Sequence, residues 1–354
     1  MNRRYRLLVS ISLPVLLLVV VGALYFHQQQ AANSSTTNAP PALNCHGKLT
    51  PMNFALDWTP NTNHTGIYVA QAQGLYAKQC IKLSILPYSA NVSPDVLVSS
   101  GQAALGISST ESIVADSAVG QPVVSIAAIV QHNTSALVTL ASSGLNKPSD
   151  LDGKIYGGFG APYEGAVVKA MIRANGGTGT FQNVTLNTDT MQALETKQID
   201  FAWVYEGWEV IQAQRDGFKL NVFPVTKYGI PDYYTPNIIT SPQVIKQHPE
   251  LLHGFMLATE QGYDYARTHA HQAAQMLIDQ AGKSNFPDQG LVFASQDFLS
   301  AHYADAGHPW GMQDAASWQG YPGFMLSNGA ILDANNKPIT SMNFDTLYTN
   351  TFIS

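Results

Sequence analysis

Met52–Lys78 reads MNFALDWTPNTNHTGIYVAQAQGLYAK. MNFALD suits a strand, and HTGIYVAQAQ suits a helix with Thr65 as candidate N-cap. Between them stand an aspartate, a tryptophan, a proline and small polar residues. Ligands of open α/β folds bind at such strand-to-helix turns. Asp57 and Trp58 therefore raise the question of which ligand they meet.

The same alternation continues outward. IKLSILPY reads as a strand, SPDVLVSSG as a helix with Pro at its start, and AALGIS as a short buried strand. TESIVADSAVG is a helix and VVSIAAIV a strand. Repeated βα units predict a mainly parallel sheet with helices on both faces. A second set begins near Ala136 with ALVTLASS. It continues through KIYGGFGAPYEGAVVKAMIRANGG, FQNVTLN with TMQALETKQ, and IDFAWVY with GWEVIQAQRDG. NVFPVTKYG and NIITSP are expected to close this set and return the chain to the first. From Gln243 onward the pattern is helical, with an aromatic, Gly- and Asn-rich tail. The order predicts an α/β protein of two lobes. Lobe 1 takes about residues 48–132 and 241–354, and lobe 2 about 133–240. A ligand cleft lies between them and closes by a hinge.

Composition narrows the partners. Net charge is −6 and charged residues make up 12%. The sequence shows no basic stripe, so the footprint of a nucleic-acid binder is missing. Five Trp, sixteen Tyr and fourteen Phe supply a core and leave aromatics to line a pocket for a flat ligand.

The N-terminus carries three arginines in MNRRYR, then the uncharged run Leu7–Phe26. That run spans roughly 30 Å as a helix, about one hydrocarbon core. It is longer than a usual cleavable signal core and lacks an A-x-A site directly after Phe26. Residues 1–26 are read as a signal or anchor helix with the remainder outside the cytoplasm. Residues 27–47, rich in Gln, Ser, Thr, Asn and Pro, read as a flexible tether. Cys45 and Cys80 either pair as one disulfide or stay as separate thiols. A zinc site is not within their spacing.

At this point LDWTPNTNHTGIYVAQAQGLY, AALGIS, SDLDGKIYGG and ETKQIDFAWVYEGWE together resemble the NMT1/THI5-like family. D-W-T-P-N-x-x-H-x-G is the most specific part, and D-L-x-G-K recurs in many solute-binding proteins. The resemblance implies a type II periplasmic-binding-protein fold. Bacterial members of the family serve ABC importers that salvage formylaminopyrimidine, a thiamin degradation product, and others bind riboflavin, sulfonates or nitrate-like solutes. Fungal members are pyrimidine phosphate synthases with a C-C-C-F-C segment and a K-x-x-x-H pair after the AALGI-like strand. The matching segment here is Ser108-Ser109-Thr110-Glu111-Ser112, without lysine or histidine, and no such cysteine run exists. The resemblance thus implies a binding protein rather than an enzyme. It would be a monomer needing no cofactor, and would work with an ABC permease at the membrane. A synthase is the alternative of another class, and riboflavin or another small heterocycle the alternative ligand.

Several residues become candidates for a small heteroaromatic ligand. Trp58 offers a stacking face and Asp57 an acceptor, or they are a core tryptophan and a helix cap. His64 bonds the ligand or holds the turn. Ser108, Ser109 and Thr110 offer hydroxyls and backbone N–H groups, or simply cap a helix. In GGFGAPYEG, Gly158 allows close backbone approach, while Tyr163 and Glu164 either face the cleft or start a surface helix. That turn lacks the G-K-[ST] of a P-loop. The family's acidic binding residue corresponds to Glu206, and a charge ending a buried strand is informative. Tyr205 or Trp208 would form the wall opposite Trp58. Tyr233 and Tyr234 are hinge or rim candidates. No catalytic triad, G-x-S-x-G motif or metal-ligand spacing can be assembled.

Overall fold

The computed structural model describes residues 45, 47–89, 91–186 and 190–354. The expected anchor at 1–26 and the expected tether up to residue 44 lie outside the described residues. No helix among the described residues is long and apolar enough to cross a membrane.

Lobe 1 begins with β1 (Thr50–Ala55), β2 (Ile81–Leu86), β3 (Leu105–Ser108) and β4 (Val124–Ala128). Helices α1 (Thr65–Ala72), α2 (Leu75–Lys78), α3 (Pro94–Ser99) and α4 (Thr110–Ala118) connect them. Lobe 2 holds β5 (Ser135–Leu140), β6 (Ile155–Gly158), β7 (Gln182–Thr185), β8 (Phe201–Tyr205) and β9 (Leu220–Pro224). Its helices are α5 (Glu164–Ala174), α6 (Thr190–Glu195) and α7 (Ile211–Arg215), the last entered through a π-helical turn at Glu206–Val210. The chain then returns to lobe 1 through β10 (Asn237–Thr240). It continues as α8 (Pro242–Gln247), α9 (Pro249–Thr268), α10 (Ala270–Ala281), α11 (Gln289–Ser300) and α12 (Ala315–Ser327).

The strand orders are β2-β1-β3-β10-β4 and β7-β6-β8-β5-β9. Both sheets are mixed, which corrects the expectation of mainly parallel pairing. β10 runs antiparallel to β3 and β4, and β5 antiparallel to β8 and β9. Each is the first strand after the chain changes lobe. β10 runs against earlier strands of its sheet, and β5 against later ones of its own. β10 also corrects the lobe boundary, because it sits inside the first sheet and lobe 2 ends before residue 237.

Thr65 opens α1 as expected but is not its cap. A 3-10 turn at Thr62–His64 leads into the helix, capped by Asn61, whose side chain accepts from the Asn63 N–H at 2.9 Å. Two glycines let α1 cross α9 closely. A Cβ on Gly262 would stand 2.0 Å from the Gly66 carbonyl oxygen, and a Cβ on Gly66 would stand 2.2 Å from the ring of Tyr263. Cys45 and Cys80 form a disulfide that ties the start of the domain to the residue before β2.

The lobes meet at two chain crossings and along one helix. At the crossings His132 sits between carboxylates, with Nδ1 at 2.5 Å from Asp232 and Nε2 at 3.1 Å from Asp305. Burial pulls its pKa down, but the two carboxylates outweigh that and hold it above the ordinary value. Along α11, Arg215 makes a forked pair with Asp288 at 2.8 and 2.9 Å. Buried Ser295 donates to the Gly207 carbonyl and lies 2.5 Å from the Thr62 hydroxyl.

Candidate functional site

Asp57 lies two residues past the end of β1. His64 is fully buried. Its Nδ1 accepts from the Asn61 N–H at 3.3 Å, so the proton sits on Nε2, which meets Asp57 at 2.9 Å. His64 therefore holds Asp57 in place rather than facing solvent, while Asp57 keeps 32% of its side chain open. Trp58 is 55% exposed and lies against Tyr88, with ring centroids 4.9 Å apart. It is not a core tryptophan. An exposed indole with one face free is a stacking platform.

The hydroxyls after β3 are engaged within the protein. Ser108 donates to Asp95 at 2.5 Å, Ser109 caps the Ser112 N–H at 3.1 Å, and Thr110 donates to the Tyr234 carbonyl at 2.6 Å. Asp95 and Asp116 lie close together here. Burial raises both; the charge of Asp95 adds to the rise at Asp116, which reaches about 7, and the charge of Asp57 adds to the rise at Asp95. Such carboxylates bind protons more tightly folded than unfolded. Their contribution to stability is therefore most favourable near pH 4 and declines as pH rises toward 7. Urea melts at pH 5 and pH 7.5 are expected to show that decline, and Asp116→Asn to flatten it. An unchanged slope in the variant would remove the pair as its cause.

The Gly-rich turn serves itself. Glu164 is fully buried. Its carboxylate accepts from the Tyr156 hydroxyl at 2.7 Å, the Phe159 N–H at 3.0 Å and the Ala161 N–H. A Cβ on Gly158 would meet that carboxylate at 2.1 Å. The close approach that requires glycine is thus by Glu164, and Glu164 has turned inward away from the cleft. Tyr163 comes within reach of Ser109 in lobe 1 and packs edge-on against Trp203 and Phe159. Phe159 is 58% exposed.

At the end of β8, neighbouring side chains part. Tyr205 is surrounded by protein yet keeps 39% of its surface open, as a cleft wall does. The charged groups bearing on it are Glu111, Glu209 and Asp57, all acidic. Its N–H donates to the Glu209 carboxylate at 2.9 Å. Glu206, expected beside Trp58, has Lys227 and His302 as its charged neighbours instead, and burial raises its pKa. β8 ends at Tyr205, and Glu206 opens the π-helical turn that follows it. Trp208 packs beside Tyr68, Leu277, Ile278 and Phe286, so it anchors lobe 2 to the helical layer and is not the opposite wall. Tyr233 and Tyr234 are buried rather than on a rim.

The structure thus brings Asp57, Tyr163 and Tyr205 within reach of one another, adds Glu111, Glu209, Phe159 and Trp203, and sets Trp58 against Tyr88. An aromatic at every second position of IDFAWVY, Trp203 and Tyr205, is a sequence signal for two of these walls. Tyr88 and Phe159 carry no such mark. A hollow of about 720 Å³, lined among others by Ser99, Gln121 and Gln243, lies elsewhere on lobe 1 and shares none of these residues.

Two mixed α/β sheets, two chain crossings and a cleft at their junction define a type II periplasmic solute-binding fold. The periplasmic aliphatic sulphonate binding protein of Escherichia coli superposes with a TM-score of 0.63 at 13% identity, covering 82% of this chain and 90% of that one. At that identity the likeness concerns the fold. This chain belongs to the NMT1/THI5-like family, which matches residues 61–273. It is 26% identical over 276 residues to the formylaminopyrimidine-binding protein of Halalkalibacterium halodurans, covering 77% of this chain and 83% of that one. It is also 26% identical over 259 residues to the 4-amino-5-hydroxymethyl-2-methylpyrimidine phosphate synthase of Legionella pneumophila, covering 72% and 82%.

Proposed function

We propose that this chain is the extracytoplasmic solute-binding protein of an ABC importer, and that it captures an unphosphorylated aminopyrimidine related to formylaminopyrimidine. The observation that carries this reading is the wall at Tyr205. Tyr205 is 39% exposed, Trp58 is 55% exposed, and the charged groups acting on Tyr205 are all carboxylates, Asp57 beside Trp58 in the chain among them. A flat ring bearing N–H donors is favoured there, and a sulfonate or phosphate is repelled. The Halalkalibacterium relative supports the ligand class. The disulfide supports an oxidising compartment, where such bonds persist. The apolar run at Leu7–Phe26 would serve as the membrane anchor, and the tether would raise the local concentration at a permease.

The Legionella relative favours a second reading, pyrimidine phosphate synthesis. Against it stands the segment Ser108–Ser112, which offers neither the lysine nor the histidine that the resemblance to the fungal synthases implies there.

Titration of the purified protein, followed by tryptophan fluorescence, tests the first reading. Formylaminopyrimidine or hydroxymethylpyrimidine is expected to bind, and Trp58→Ala to weaken binding at least tenfold, about 1.4 kcal/mol. Exclusive binding of riboflavin would replace the ligand. Conversion of a histidine after addition of pyridoxal phosphate and iron, read by mass spectrometry, would establish the synthase instead.

A further inference from the structure

Glu111 is the least expected group at the lobe junction. It lies one residue into α4, yet only 3% of its surface is exposed. Its Oε1 accepts from the Tyr321 hydroxyl at 3.1 Å, while its Oε2 is buried and unpartnered among the described residues. The Tyr233 ring stacks on Tyr321 at 3.6 Å, and its hydroxyl is likewise buried and unpartnered. Ser109 and Tyr233 stand close enough to act on this carboxyl as donors, but neither makes a hydrogen bond of full geometry to Oε2. From lobe 2, Tyr163 and Tyr205 both feel this carboxylate, and Tyr205 feels Asp57 as well. A buried carboxyl with an idle oxygen is costly in a resting fold. An apolar side chain of similar size would fill the same volume without that cost.

We infer that Glu111 reads the amidine edge of the bound heteroaromatic ring, its free Oε2 pairing with an exocyclic amino group or the adjacent ring nitrogen across the junction of the two lobes. This rests on the solute-binding reading and deepens it. Burial pushes the Glu111 carboxyl up, which makes the neutral acid more accessible than for an exposed carboxyl. A neutral carboxyl can donate its O–H to a ring nitrogen. A carboxylate can accept an N–H from the amine or from a protonated ring. The proton is shared within the pair in either form, and none has to come from solvent. An ester phosphate or sulfonate offers no N–H, and its negative charge would face Glu111, Glu209 and Asp57.

The test uses full-length protein and a matched pair of probes, 4-amino-5-hydroxymethyl-2-methylpyrimidine and the same ring without its 4-amino group. Wild type is expected to prefer the amino compound at least tenfold. Glu111→Met, close in shape, is expected to lower that preference to about threefold or less, with thermal stability kept or raised. Glu111→Gln is expected to retain part of it. Equal binding of both probes by wild type would overturn the inference, as would full preference in the Met variant. Should wild type bind neither probe, the pyrimidine reading falls, and riboflavin and p-toluenesulfonate decide the role of Glu111. Riboflavin weakened tenfold by Glu111→Met keeps Glu111 as the donor-reading group. Riboflavin unaffected by that change overturns its role, as does tight binding of the sulfonate. Silence from wild type toward all four compounds overturns both readings.

Discussion

Gly262→Ala is expected to destabilise the protein by about 3 kcal/mol or more, the upper end of what overpacking costs. The added methyl would stand 2.0 Å from the carbonyl oxygen of Gly66 and 2.9 Å from its carbonyl carbon. Both are backbone atoms inside α1, so no rotamer change can make room. From the opposite side, a methyl on Gly66 would strike the ring of Tyr263. That ring is fixed, because it stacks on Trp310 at 4.0 Å and its hydroxyl donates to the Asn63 carbonyl at 2.6 Å. Either change must push α1 and α9 apart. Total stabilities run only about 5–15 kcal/mol, so the melting temperature should fall by about 5–10 °C. Gly323→Ala serves as the control, since nothing lies within 4 Å of its added methyl inside α12. It should stabilise slightly, by about 0.5–1 kcal/mol. The effect of Gly262→Ala should reach the site as well. α1 begins directly after His64, and His64 holds Asp57. Displacing α1 therefore moves a group proposed to meet ligand, and affinity should fall along with stability. Equal melting temperatures for wild type and Gly262→Ala would show that the crossing relaxes more freely than its backbone contacts imply.

The βα alternation and the Asp57-Trp58 turn are legible in the sequence because periodicity and turn chemistry are local. What escapes is set by the meeting of distant segments. NIITSP carries no mark of the sheet it joins, since a buried strand suits either lobe, and β10 joins the first. Glu206 is expected at the ligand because it follows a buried strand. The strand ends at Tyr205, however, and Glu206 already belongs to the π-helical turn Glu206–Val210, which is wider than an α-helical one. Glu209, four residues after Tyr205, is the acid that returns to it. Glu111 and Glu164 both occupy the first turn of a helix, where an acid ordinarily offsets the helix dipole at the surface. Only the packing of Tyr156 over one and Tyr321 over the other reveals that both are buried. Trp58 and Trp208 look alike in sequence. Helices α10 and α11 cover Trp208, while Trp58 stays open beside Tyr88.

Removing the disulfide should cost about 2–4 kcal/mol and leave ligand affinity unchanged. Cys45 and Cys80 close a loop of sequence separation 35 that contains β1, α1 and α2. Without the link the unfolded chain regains the freedom of that whole segment, and the folded state gains nothing in return. The bond lies at the start of both first strands, since Thr50 pairs with Ile81. Asp57 lies past the other end, where Ala55 pairs with Leu86. At about 3.3 Å per strand residue, the six residues of β1 separate the two by roughly 17 Å or more. A Cys45→Ser, Cys80→Ser double variant should therefore melt several degrees lower and still bind the aminopyrimidine with wild-type affinity. Loss of affinity in parallel with stability would mean that β1 transmits strain along its length, and that the site depends on how the domain is tied at its start. Unchanged stability would mean that the β1–β2 pairing alone already holds these residues together in the unfolded ensemble.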